Sequence, residues 1–188
     1  EGRSEELLHK YLKPMAPDAF IATKLGRFPS PGNAENYTFE NFRRFTENSL
    51  KRLSVDVLDL TQLHCIPTKL MESGEVFEWL RKLQQEGKIK QFGASVESIS
   101  EAKTCLKQKG LASLQIIFNI FRQKPITELF DEAKTKGVSL IVRLPLASGL
   151  LGGKLNAKTS FPENDHRLFN SDGQCFNVGE TFAGIPFN

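Results

Sequence analysis

The chain is short of the residues on which specialised scaffolds depend. Its 188 residues include 3 Cys, 3 His, 2 Met, 2 Tyr and 1 Trp. Cys65, Cys105 and Cys175 are far apart and form no C-x-x-C pair. That excludes a disulfide framework and a metal knuckle, and it fits a reducing compartment. His9, His64 and His166 are too scattered for a zinc set and no H-E-x-x-H occurs, so no metal is expected. No apolar run approaches the roughly 18 residues that a membrane helix needs. The first residues, Glu1-Gly2-Arg3-Ser4, have neither the basic flank nor the apolar stretch of a signal peptide, which points to a cytoplasmic protein. The glycosylation-like Asn36-Tyr37-Thr38 then reads as chance. Neither sign of charge dominates: 25 Lys+Arg face 22 Asp+Glu, a net +3, and the signs alternate. Nucleic acid and membrane surfaces are therefore not expected partners.

Two catalytic motifs are also missing. There is no G-x-S-x-G elbow of a serine hydrolase. The run Gly149-Leu150-Leu151-Gly152-Gly153-Lys154-Leu155 resembles a phosphate loop, but its glycine spacing is one short and Leu155 replaces the magnesium-binding Ser or Thr.

What is present is a regular alternation. Five short apolar runs, Ala19–Thr23, Val55–Leu63, Ile89–Ala94, Ser113–Phe118 and Val138–Leu144, read as buried strands. Between them lie charged segments with apolar residues at helical spacing: Glu40–Leu53, Glu75–Gly87, Ser98–Lys109 and Thr127–Lys136. Gly87, Gly110 and Gly137 stand where such helices would end. Ser4–Leu12 reads as one more helix, with Ser4 as its N-cap. Residues 149–188 show no period and read as a long loop on a single domain spanning 1–188.

Repeated strand–helix units without hairpin signals predict a parallel sheet, either doubly wound or barrel-like. A (β/α)₈ barrel usually needs about 250 residues, so five units would be an incomplete one. In either fold the carboxyl ends of the strands line the site. Lys24 and His64 directly follow the first two runs, Ser95 and Arg143 also fall at strand ends, and Gln115 lies within an apolar strand. A buried Gln must satisfy its amide, either on backbone or on a polar ligand.

The motifs taken together resemble the aldo-keto reductases. Ser4-Glu5-Glu6-Leu7-Leu8 precedes Ile21-Ala22-Thr23-Lys24-Leu25-Gly26, and Ser49-Leu50-Lys51-Arg52-Leu53 leads to Asp59-Leu60-Thr61-Gln62-Leu63-His64. Glu86-Gly87-Lys88-Ile89, Phe92-Gly93-Ala94-Ser95 and Pro145-Leu146-Ala147-Ser148-Gly149-Leu150-Leu151 follow in the family's order. Asp165-His166-Arg167 and Gly179-Glu180-Thr181-Phe182 are similar to the family's long loop after the seventh strand.

The resemblance implies an incomplete TIM barrel, about five of eight units. It implies a parent enzyme that uses NADP(H), or in some members NAD(H), to reduce a small carbonyl substrate. Of the family's Asp, Tyr, Lys and His, Lys24 matches the Lys and His64 the His. The Asp and Tyr belong to a D-T-A-x-x-Y-G segment that would precede Glu1, and neither Tyr11 nor Tyr37 matches a family position. These 188 residues alone are therefore expected to be inactive.

Ser95 and Gln115 match residues that hold the nicotinamide carboxamide. Leu146, Ser148 and Leu151 match the stretch under the pyrophosphate. Val96 replaces an Asn found beside that Ser in many members, and Arg143 stands where an aromatic often stacks on the nicotinamide. Two alternatives stay open: a non-enzymatic nucleotide-sensing subunit on the same barrel, and a different barrel enzyme such as a phosphate-binding isomerase.

Overall fold

Five apolar segments pair side by side in the order in which they occur in the chain. The computed structural model describes residues 2–27 and 34–170. In it β1 (Ala22–Leu25), β2 (Leu58–His64), β3 (Ile89–Ser95), β4 (Leu111–Ile117) and β5 (Ser139–Arg143) form one parallel sheet, ordered β1-β2-β3-β4-β5. A doubly wound sheet reverses direction at a switch point. This sheet does not reverse, which is the progression of a (β/α) barrel, here five units of it.

The helices lie between strands in sequence, and each begins and ends for a local reason. In α2 (Phe39–Leu53) the Thr38 hydroxyl caps the Asn41 N–H, and Phe42, Thr46, Ser49 and Leu53 make the buried stripe. The expected 75–87 helix is α4 (Glu75–Gln85), and an additional short helix, α3 (Thr68–Ser73), precedes it across Gly74 at φ +77°. The α5 helix (Ile99–Leu106) opens on a reciprocal capping box between Ser98 and Glu101. The expected 127–136 helix is two, α6 (Lys124–Glu128) and α7 (Phe130–Thr135). Between them Leu129 leaves helical geometry at φ −134° and is buried.

Two further expectations are corrected at the amino end. Ser4 does not cap its helix: α1 (Arg3–Leu7) starts from Gly2, and residues 8–12 continue as a π-helix. The first strand begins at Ala22 and not at Ala19, because the Asp59 carboxylate takes the Ile21 N–H at 3.0 Å and Phe20 is exposed. Residues 149–170 are not wholly loop. A 3₁₀ turn covers Ala147–Gly152 and α8 covers His166–Phe169, while 171–188 lie outside the described residues.

The core fills the space between helices and sheet. Phe42, Phe77, Phe92, Leu63, Leu80, Leu83 and Leu114 are fully enclosed there, each side chain worth about 1.5–3 kcal/mol of burial. The opposite sheet face, which carries alternate residues, holds polar groups. Gln62 Nε2 donates to Ser113 Oγ at 3.1 Å, both side chains buried, with Gly93 between them in register.

Candidate active site

Parallel pairing places one residue of each strand at the same level. His64 is in register with Ser95, and Ser95 with Gln115, so the carboxyl ends of β2, β3 and β4 present a row of imidazole, hydroxyl and amide. Ser95 is 2% exposed and its hydroxyl donates to Gln115 Oε1 at 3.4 Å. The ladder runs on beyond the strands, from Cys65 N–H to the Ser95 carbonyl (2.9 Å) and from Val96 N–H to the Gln115 carbonyl (3.0 Å). Lys24 is the third residue of β1, two positions below this row by register, opposite Gln62.

Arg143 ends β5 and bridges this face. Its Nη2 donates to the Val96 carbonyl at 3.3 Å and lies 3.7 Å from Cys65 Sγ, itself 3.7 Å from Ser95 Oγ. Its Nε is buried without a hydrogen-bond partner among the described residues. The guanidinium therefore spans from β5 to the turn after β2.

Burial and this excess of positive charge set the protonation states. Partial burial, then Arg143, lowers the pKa of Lys24, although the side chain is exposed on its open side. Burial, then Arg27, Lys24 and Arg143, pushes His64 down to about 4, so its imidazole is neutral at physiological pH. Cys65 is shifted the other way: burial raises its pKa and keeps it a thiol.

Beyond β5 the chain turns through unusual backbone. Leu144, Ala147 and Ser148 have φ of +59°, +48° and +57°, a concentration of left-handed non-glycine residues. Ser148 Oγ is buried without a hydrogen-bond partner among the described residues. Leu146, at 58% exposure, and Leu151 present apolar surface at its rim. Arg167 closes on the same loop: its Nη1 donates to the Ser148 carbonyl at 3.4 Å, and Asp165 holds its Nη2 at 2.6 Å.

Lys24, His64, Ser95, Gln115 and Arg143 thus gather at one end of the sheet, with the Leu146–Leu151 loop following β5. Gln62, Ser113, Cys65 and Arg167 were not singled out from the sequence. Alternation along the strands would have marked Gln62 and Ser113 as a second polar layer, whereas nothing local marks the reach of Arg167. Val96 contributes only backbone groups, its side chain being in the core. Tyr37 is core as well, with its pKa raised by burial, and Tyr11 is exposed.

A cavity of about 370 Å³ lies at the other end of the sheet, lined by Lys13, Asp18, Ser54, Asp56, Asp59 and Lys90 among others. It is at the amino ends of the strands, where barrel catalysis does not occur. Among the described residues no cluster of ligating side chains could hold a metal, and no helix is long and apolar enough to cross a membrane.

The Aldo/keto reductase family model matches residues 1–182. The chain belongs to the aldo/keto reductase family. It is 32% identical over 171 residues to the aldo-keto reductase str7 of Strobilurus tenacellus, covering 88% of this chain and 50% of that protein. To the aldo-keto reductase YhdN of Bacillus subtilis (strain 168) it is 30% identical over 171 residues, covering 88% and 51%. Among solved structures, a glycerol dehydrogenase from Gluconobacter oxydans superposes with a TM-score of 0.74 at 30% identity, over 94% of this chain and 55% of that one. The holo form of an aldo-keto reductase from Bacillus halodurans gives 0.69 at 30% identity, over 87% and 54%. The chain spans about half the length of these relatives, so an incomplete barrel is what it contains.

Proposed function

We propose that the whole protein is an NADP(H)-dependent oxidoreductase that reduces small aldehydes or ketones to alcohols. The observation that carries this reading is the row His64, Ser95, Gln115 beside Lys24 and Arg143 at the carboxyl end of the sheet. The residues present suit a nicotinamide cofactor. Ser95 and Gln115 offer a hydroxyl and an amide side by side, and the buried Arg143 Nε and Ser148 Oγ have no hydrogen-bond partner among the described residues. Ser95 and Gln115 would hold the carboxamide, with the Arg143 guanidinium against the ring plane. The loop of Leu146, Ser148 and Leu151 would run under the phosphates. When bound, the cofactor supplies the hydride.

The protein's own residues would manage the proton. A tyrosine is a weak acid near neutrality, with a pKa of roughly 10, unless a cation beside it favours the phenolate. Lys24 would be that cation, and its pKa, lowered first by burial, supports this role by bringing it nearer the range in which a proton can be passed. His64, neutral, would donate a hydrogen bond to the carbonyl oxygen and orient it without serving as the acid. Among these 188 residues the two tyrosines are the exposed Tyr11 and the core Tyr37, so reduction by this chain alone is not expected. NADP(H) in preference to NAD(H), a cytoplasmic location and a single domain over 1–188 belong to the same proposal.

The decisive experiment is single-turnover hydride transfer by the whole protein and its Lys24→Met variant. The methionine keeps an apolar stem without the charge. The chemical step should slow by about two to four orders of magnitude with little change in cofactor affinity. An unchanged rate would reduce Lys24 to an ordinary strand-end lysine.

A further inference from the structure

Glu5 is a carboxylate in an unusual place. It is 9% exposed, on the short helix α1 behind β1, and both its oxygens are engaged. The Thr23 hydroxyl donates to Oε1, and Arg52 Nε donates to Oε2 at 2.6 Å. Arg52 in turn reaches the Ser49 hydroxyl at 3.3 Å. It also lies against Gly2, where a Cβ would come within 2.4 Å of Arg52 Cδ. The carboxylate therefore joins α1, α2 and β1 at one point.

Successive residues of a strand point to opposite faces, so a side chain pinned behind the sheet at Thr23 determines how Lys24 leaves it in front. β1 is short, at four residues, and among the described residues it pairs with β2 alone, so a contact from behind adds to what fixes it. A carboxylate buried this far from water would be costly unless it were doubly bonded, as it is here.

We propose that Glu5 is a positioning residue for Lys24. By holding Thr23 from behind, it fixes the rotation of β1 that presents Lys24 at the register level of Gln62, on the face opposite Thr23. The inference rests on the reading of Lys24 as the ammonium of the reductase site, and it adds a residue of the Ser4–Leu8 motif to that site.

The test reads the Lys24 amine directly in the whole protein. Lysines are reductively methylated with ¹³C-formaldehyde and followed by NMR through a pH titration. The Lys24 resonance is assigned by its loss in Lys24→Met. In the parent chain it should titrate below the ordinary lysine range. In Glu5→Gln and in Thr23→Val it should move up toward that range, because the amine is no longer held in its partly buried place near the Arg143 charge, and Thr23→Ser should restore the parent behaviour. A merely structural role would lower the thermal midpoint without moving this resonance. If Glu5→Gln does not fold, Thr23→Val decides, since it leaves the Glu5–Arg52 pair intact. An unmoved Lys24 titration in folded Thr23→Val overturns the proposal. Failure of the reductase reading would show separately, as hydride transfer that survives Lys24→Met.

Discussion

Gly93 and Ser113 stand opposite each other in β3 and β4, so close that a Cβ on Gly93 would lie 2.3 Å from Ser113 Oγ and 2.5 Å from the Ser113 carbonyl oxygen. The pairing of these two strands shifts register just before Gly93, and the space this leaves is filled by the Gln62–Ser113 hydrogen bond. The glycine is what allows a second polar layer to close beneath the candidate site.

Gly93→Ala should therefore destabilise the protein by about 1–3 kcal/mol or more, on the scale of overpacked interiors. Ser113→Ala in the same chain should recover only part of the loss, because the backbone carbonyl still blocks the new methyl group. Urea unfolding of the two variants and the parent measures both effects.

Substrate handling and cofactor handling should separate at one register level. His64→Ala is expected to lower turnover while NADPH binding stays near normal. Gln115→Leu, close in size but without the amide, is expected to weaken NADPH binding by about 1–3 kcal/mol. Cofactor titrations beside steady-state kinetics distinguish them, and the reverse pattern would show that the two roles have been exchanged.

His64 should also leave a mark on stability. In the unfolded chain its imidazole takes a proton near its ordinary value of 6.5, whereas in the folded protein it is pushed down to about 4. Between these values the unfolded state binds more protons, so stability rises with pH in that window. Approached from neutral pH, the contribution is intact above about 6.5 and is lost as pH falls through about 4. Denaturation series from pH 4 to 7 should show this component in the parent and not in His64→Gln.

Cys65 occupies the left-handed region at φ +48°, directly after His64. Glycine adopts that conformation freely, and Cys65→Gly should change stability by no more than about 1 kcal/mol, relief of backbone strain offsetting the greater freedom of the unfolded chain. A β-branched residue does not, so Cys65→Val should cost about 1–3 kcal/mol. Thermal unfolding of the pair checks the contrast.

Much of this architecture is written locally. The apolar runs and helical stripes predicted all five strands and most of the helices. Gly87 and Gly137 do stand just past helix ends with positive φ, whereas Gly110, also at positive φ, lies beyond the end of α5 in the turn before β4. Lys24 and His64 were legible as strand-end residues, and the ordered motifs identified the family, because burial periodicity and turn chemistry act over a few residues.

What lay beyond the sequence depends on partners far along the chain. Ala19 is not in the first strand because Asp59, 38 residues away, captures the Ile21 N–H. His64, Ser95 and Gln115 form a row only because the register of three strands aligns them. Arg143 meets the Val96 carbonyl across 47 residues, and Glu5 meets Arg52 across the same span. Periodicity specifies which residues are buried. Register and long-range charge decide which of them meet, and so which pKa values shift.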